Sequence, residues 1–358
     1  MPRLIRSMGP ANRTLHLRTR CAILHNLKSI LIFNGDQTVE KRIRLCAALA
    51  MVLLLTACGQ APAEHEREER LTVVATVFPA YDFARAAGGE LAEVRLLLPP
   101  GAESHSYEPT PADILAVQEC DLFLYLGGES DAWVETILES VDMQGEALRM
   151  VDCVDLLEET VEGMEDHEGH DHDHAEGPGL GEVVGYDEHV WTSPKNAAAI
   201  TRAVGDRLAE LDPANAGTYA ANTEGYAARI EALDREFADF FAGVEDRTMV
   251  FGDRFPLRYF AEEFDIDYYA AFPGCSTQTE PSAATIAFLT DKVREEGIPT
   301  VWYIEFSNHL VADSIAEAAG VKTALFHTCH NVSTDELEAG ATYVSLMEQN
   351  LETLRENL

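Results

Sequence analysis

Imidazole is the commonest protein ligand for borderline transition metals, and single histidines scattered over separate strand-helix units can converge on one ion. The sequence has this pattern. His105 stands in PPGAESHSYEPTPAD and His189 in DEHVWTSP, with His167, His170, His172 and His174 crowded between them in GMEDHEGHDHDHAEG; His327 and His330 follow in LFHTCHNVS. Zinc is the expected ion, because a d¹⁰ cation accepts a tetrahedral shell of imidazoles. The HDHDH run has no spacing that builds a tetrahedral cage. It reads as a weak, fast-exchanging capture loop, the alternative being a solvated acidic linker. Catalytic zinc would need an open coordination position beside a general base. The chain has no H-E-x-x-H motif, Glu188 beside His189 lacks a histidine one helical turn away, and no G-x-S-x-G offers a nucleophile. A secreted zinc hydrolase is therefore the lesser alternative, and binding without catalysis is expected.

The elements that must position these residues alternate. Apolar runs at 71–77, 94–99, 121–127 and 147–152 are interleaved with helical segments such as PADILAVQE and DAWVETILESV, and TMVFGD, IDYYAAF, TVWYIEF and KTALFHT repeat the pattern in the second half. This predicts an α/β protein of two lobes, each a parallel sheet flanked by helices. Asp212-Pro213 is followed by about thirty residues of helical periodicity, read as one long rigid helix joining the lobes. The expected organisation is an N-terminal lobe over 71–211 carrying a histidine-rich loop at 159–186, a linking helix over 212–243 and a C-terminal lobe over 244–358. ELEAGATYVSLMEQNLETLREN reads as a closing amphipathic helix. His105 follows a strand through Pro-Pro-Gly, which places it at the carboxyl end of a parallel sheet, where ligands bind in such folds.

The amino-terminal segment indicates location. Lys41, Arg42 and Arg44 precede an apolar run too short to span a bilayer, as in a secretory signal over 1–57. Residues 1–40 fit this signal poorly, and a translation start assigned too far upstream accounts for them. Leu55-Thr56-Ala57-Cys58 resembles a bacterial lipobox, so Cys58 is the expected lipid anchor and 58–70 a polar tether. The formal net charge is −36. Removing the signal segment makes the chain more acidic still, which excludes nucleic acid as a partner. Cys120, Cys153, Cys275 and Cys329 then remain in an oxidising compartment, where three pairings satisfy them. Cys120–Cys153 and Cys275–Cys329 are favoured, each within its own half, over a zinc-thiolate site for which no C-x-x-C spacing exists.

GAESHSYEPTPAD followed by DEHVWTSPKNA resembles the two histidine motifs of the zinc- and manganese-specific solute-binding proteins of bacterial ABC transporters. The resemblance extends over essentially the whole mature chain. It implies an extracytoplasmic, lipid-anchored, monomeric binding protein that captures zinc, with manganese as the alternative cargo, and delivers it to a membrane permease. An adhesin role, suggested for some relatives, leaves no residue signature. His105 and His189 match two of the family's ligands. At the third, usually histidine or glutamate, the chain has Arg254 in FGDRFPLRYF, and a guanidinium cannot ligate. Asp253 is a substitute ligand if the backbone shifts, and an Arg254–Glu305 ion pair in the crevice wall is the other expectation. The family's last ligand follows the strand matching KTALF, where His327 and His330 stand. At least one of them is expected to ligate, His327 being slightly preferred.

The anchor is directly testable. Cys58→Ala should release the processed protein from the membrane fraction on fractionation, since the apolar segment cannot hold it there; continued tight membrane association would contradict the assignment.

Overall fold

β-Branched and aromatic residues concentrate in the strands, and their burial follows the layers they occupy. The computed structural model describes residues 70–103, 107–128, 131–159, 185–274 and 281–358, all within the compact unit Glu68–Leu358. The signal segment, Cys58, His105, the histidines at 167, 170, 172 and 174, and Cys275 lie outside the described residues.

The first sheet holds β1 (Leu71–Ala75), β2 (Ala92–Leu96), β3 (Leu122–Tyr125) and β4 (Glu146–Arg149), with α1 (Phe78–Gly88), α2 (Pro111–Glu119) and α3 (Ala132–Ser140) as connections. Its strands are parallel in the order β2-β1-β3-β4. After α4 (Pro194–Leu211) and α5 (Ala216–Ala242) comes a second parallel sheet of β5 (Met249–Phe255), β6 (Tyr268–Pro273), β7 (Thr300–Ile304) and β8 (Lys322–Phe326). Its order is β6-β5-β7-β8, the same topology again. Helices α6 (Arg258–Phe264), α7 (Ala283–Glu296), α8 (Leu310–Ala319), α9 (Thr334–Glu338) and α10 (Tyr343–Asn357) complete this half. The predicted two-sheet α/β architecture is thus present.

Packing is less divided than two lobes suggest. One hydrophobic core runs from Val73 and Phe83 beneath the first sheet through Trp191, Tyr226 and Phe237 to Phe251, Trp302 and Phe326 in the second. Smaller cores lie on the outer faces, around Phe123 and Val117 in one half and Val250 and Leu289 in the other. The long helix differs in detail from expectation. It begins at Ala216, three residues beyond Pro213, because Asp212 turns the chain: its Oδ2 accepts from Asn215 Nδ2 at 2.7 Å and from the Tyr219 hydroxyl at 3.1 Å. α4 and α5 therefore form a helical hairpin. Buried Asp82 on α1 ties α5 to α10 by accepting the Tyr226 hydroxyl proton and, at 2.8 Å, the backbone N–H of Tyr343.

Two further expectations are corrected. The closing helix is broken into α9 and α10 by Gly340 at φ 78°, after which Thr342 caps α10 by accepting from Ser345 N at 3.0 Å. Cys120 and Cys153 are free thiols, and buried Cys329 has no disulfide among the described residues. Cys120 precedes the amino end of β3 in the outer core, whereas Cys153 lies past the carboxyl end of β4 against the central core. About 13 Å of strand and the sheet itself separate those positions, beyond disulfide reach. Cys329 cannot be read as bridged either, its expected partner Cys275 lying outside the described residues.

Gly252 on β5 shows how closely the second sheet meets its helix. A Cβ there would fall 2.3 Å from the Cα of Ala312 on α8. Gly252→Ala should destabilise the fold by about 1–3 kcal/mol, the usual cost of overpacking against backbone, seen as a lower denaturation midpoint at unchanged slope.

Candidate metal centre

Parallel strands end together, so the loops after β2, β5, β7 and β8 meet in one crevice between the sheets, of about 140 Å³. Its walls include Gly101, Ala102 and Glu103 from the first half, and Arg254, Glu305, Phe306, Thr328, His330 and Asn331 from the second. His189 closes it from the segment that precedes α4.

His189 is 1% exposed and oriented by a carboxylate. Asp187 Oδ1 faces its Nδ1 at 3.0 Å and accepts its backbone N–H at 2.8 Å. That contact assigns the Nδ1 proton and presents Nε2 as the ligating atom, the arrangement by which carboxylates orient metal-binding histidines. Asp187 is itself anchored: its carbonyl accepts from the Tyr259 hydroxyl at 2.8 Å, and its N–H donates to Leu157 O at 2.9 Å. Burial disfavours the His189 imidazolium, yet the neighbouring carboxylates, Asp187 foremost with Glu188 and Glu159, together outweigh it and raise the pKa above the ordinary histidine value.

The two histidines after β8 part company. Cys329 between them adopts φ 62°, a left-handed conformation that a non-glycine residue takes only under local strain. The turn sends His330 into the crevice, its ring centroid 5.6 Å from that of His189 and 5.0 Å from Trp191. His327 turns inward instead. Its Nδ1 accepts the Cys329 N–H at 2.9 Å, which leaves the proton on Nε2, and that atom faces Glu336 Oε1 at 3.7 Å. Asn350 holds the His327 backbone by two hydrogen bonds of 2.8 and 2.7 Å. Of the two, His330 lines the crevice and His327 does not, and the cause is the Cys329 turn, which no residue spacing encodes.

Glu305 closes β7 on the crevice wall, its carboxylate accepting from the Thr328 hydroxyl at 2.5 Å and the Thr328 N–H at 2.8 Å. The expected Arg254–Glu305 pair is not what the described residues form. Arg254 reaches Glu103 Oε2 in the first half at 2.8 Å, because β5 bulges between Phe251 and Arg254 and carries the guanidinium to the rim. The same bulge turns Asp253 back into the sheet, where it accepts from the N–H groups of Arg254 at 2.8 Å and Ile304 at 3.3 Å and lines a separate hollow. It is not on the crevice wall.

Among the described residues no three histidine, cysteine or carboxylate side chains already stand at coordination distance. His189, His330 and Glu305 all line the crevice, the two imidazoles meeting edge to face with centroids 5.6 Å apart, and the remaining sequence candidate, His105, lies outside the described residues two positions beyond Glu103. Two imidazoles beside a carboxylate can hold a borderline divalent cation. Asp187 and Asn331 are the participants that the spacing of histidines did not single out. The signal for Asp187 was an acidic residue two positions before a histidine.

Comparison with known proteins agrees with this geometry. The family described as Zinc-uptake complex component A periplasmic matches residues 73–357. Zinc-binding lipoprotein AdcA of Streptococcus pneumoniae is 30% identical over 317 residues, covering 88% of this chain but only 61% of that protein. High-affinity zinc uptake system protein ZnuA of Bacillus subtilis is 30% identical over 314 residues, 86% of this chain and 95% of that protein. The Zn(II)-bound ZnuA-like domain of S. pneumoniae AdcA superposes with a TM-score of 0.65 at 27% identity, over 80% of this chain and 98% of that domain. The laminin-binding protein Lmb of Streptococcus agalactiae, at 22% identity and a TM-score of 0.67, shares the fold. With duplicated parallel sheets, a histidine-lined crevice between them and a family match from Val73 to Asn357, this chain belongs to the periplasmic zinc-uptake component A family.

Proposed function

We propose that this protein captures zinc outside the cytoplasm and passes it to the permease of an ABC transporter, held at the membrane by lipid on Cys58. The observation that carries this reading is the pair of buried His189 and half-buried His330, which line one crevice with ring centroids 5.6 Å apart, in a chain of the zinc-uptake family. Zinc is cargo, so its shell must form and dissolve without chemistry. His105, His189 and His330 are the proposed ligands, with water or a carboxylate as the fourth. A largely imidazole shell favours zinc over manganese, which prefers more oxygen donors. Relatives named zinc-binding lipoproteins support both cargo and anchor. The histidine-rich loop is proposed as a weak auxiliary capture site. Its neck closes at the Glu158–Tyr186 bridge, next to Asp187.

Titration calorimetry of the full chain in detergent, with zinc and manganese in competition, tests the reading. His189→Ala and His330→Ala should each weaken the tight zinc equivalent by more than about 100-fold, a larger effect than the 10–100-fold usual for outer-shell changes. His327→Ala should lower stability and leave that equivalent in place. Unchanged affinity in the double variant of His189 and His330 would sink the site.

Acid should discharge the cargo. Protonated imidazole cannot ligate, and the His189 pKa lies above the ordinary value of about 6.5. Zinc affinity should therefore start to fall at a higher pH than for an ordinary histidine, by about tenfold or more per pH unit below that pKa. Asp187→Asn removes the carboxylate that raises it. The variant should show the fall displaced to lower pH and a 10–100-fold weaker affinity at neutral pH, from lost orientation; an unmoved profile in calorimetry would contradict the assigned role.

A further inference from the structure

Gly101, Ala102 and Glu103 form the first-half wall of the crevice, and the second half holds them in place. Asn331, 3% exposed, donates from Nδ2 to Pro99 O at 2.8 Å and to Ala102 O at 2.9 Å. Its Oδ1 accepts the Val332 N–H at 2.8 Å. The Gly101 N–H donates to Val332 O at 2.8 Å, and the Phe78 N–H reaches His330 O at 3.2 Å. One buried amide next to His330 thus binds the loop that leads toward residue 105. Pro99 and Ala102 are 232 and 229 residues away in sequence. The Arg254–Glu103 pair crosses the same seam, but its partners are 24% and 45% exposed, a setting in which ion pairs contribute little.

We infer that Asn331 is a positioning residue that clamps the two crevice walls together and sets the rate at which zinc leaves. The inference rests on the zinc reading above. The crevice has one wall from each half, so cargo can exit when the 99–103 loop parts from the 328–332 loop. That parting must break both Nδ2 hydrogen bonds and leave the amide of buried Asn331 without its two carbonyl partners. An amide clamp has no charge, so the release it controls is insensitive to ionic strength, unlike release controlled by the rim ion pair.

The test is stopped-flow release of zinc from the full chain in detergent into excess chelator. Asn331→Ala and Asn331→Asp should retain one tight zinc and release it roughly tenfold faster or more, as loss of two part-buried hydrogen bonds predicts. Asn331→Ser, a milder change, keeps the measurement open if the first two do not fold. Asn222→Ala is the structural control. It loses an amide bond to Ala87 O of 3.2 Å away from the crevice, and should lower the melting temperature without changing release. Glu103→Gln should change release by less than about fivefold. Cobalt loaded in place of zinc should give an altered ligand-field spectrum in the Asn331 variants alone. Release at the wild-type rate in all Asn331 variants, or acceleration equal to that of Asn222→Ala, overturns the clamp while leaving the zinc reading intact. A wild-type chain without a tight zinc equivalent overturns both.

Discussion

The crevice depends on one indole. Trp191 is fully buried two residues after His189, and its only donor, Nε1, gives its proton to Thr328 O at 2.9 Å. Its own carbonyl accepts from the Tyr343 hydroxyl at 2.9 Å. The ring meets His189 edge-on at 5.4 Å and His330 at 5.0 Å. A large rigid side chain with a single satisfied donor therefore sets the segment before α4 against the loop after β8. Thr328, once placed, holds Glu305 through its hydroxyl and N–H, and its hydroxyl accepts the His330 N–H at 3.3 Å. Without the indole the two histidines would belong to independent loops.

Charge around this scaffold suits a carrier. Asp187 orients one imidazole and strengthens it as a base, a help to binding and an opening for protons to compete. Arg254 occupies the position to which the family resemblance assigns a ligand, and the β5 bulge carries it to the rim, where Glu103 neutralises it. The cation is thus displaced from the space between the histidines.

The continuous core argues against wide swinging of the halves. Residues of both sheets and of the α4–α5 hairpin share one buried cluster, and opening it would expose apolar area at about 25 cal/mol per Å². Loop adjustment is the less costly response to cargo. The loops at 99–103 and 328–332 provide for it. They are joined by hydrogen bonds, which can be broken one at a time.

Much of this could be read from residue order. The alternation of apolar runs with helical periods determined two parallel sheets, because period and β-branching act over a few neighbouring residues. Histidine types at strand ends determined that a borderline metal is handled. Local signals failed where distant atoms decide. Spacing could not tell His327 from His330, since the difference is a left-handed Cys329 and an Nδ1 occupied by a backbone N–H. Nor could it pair cysteines, because Cys120 and Cys153 share a lobe yet lie at opposite ends and faces of its sheet. Arg254 finds Glu103 at 151 residues' separation and Asn331 finds Pro99 at 232. Sequence by itself determined the elements and the chemistry they carry. Which imidazole lines the crevice, which carboxylate meets the arginine and which amide bridges the two loops were decided only when the two sheets packed on one core, because those contacts depend on distances that chain position does not encode.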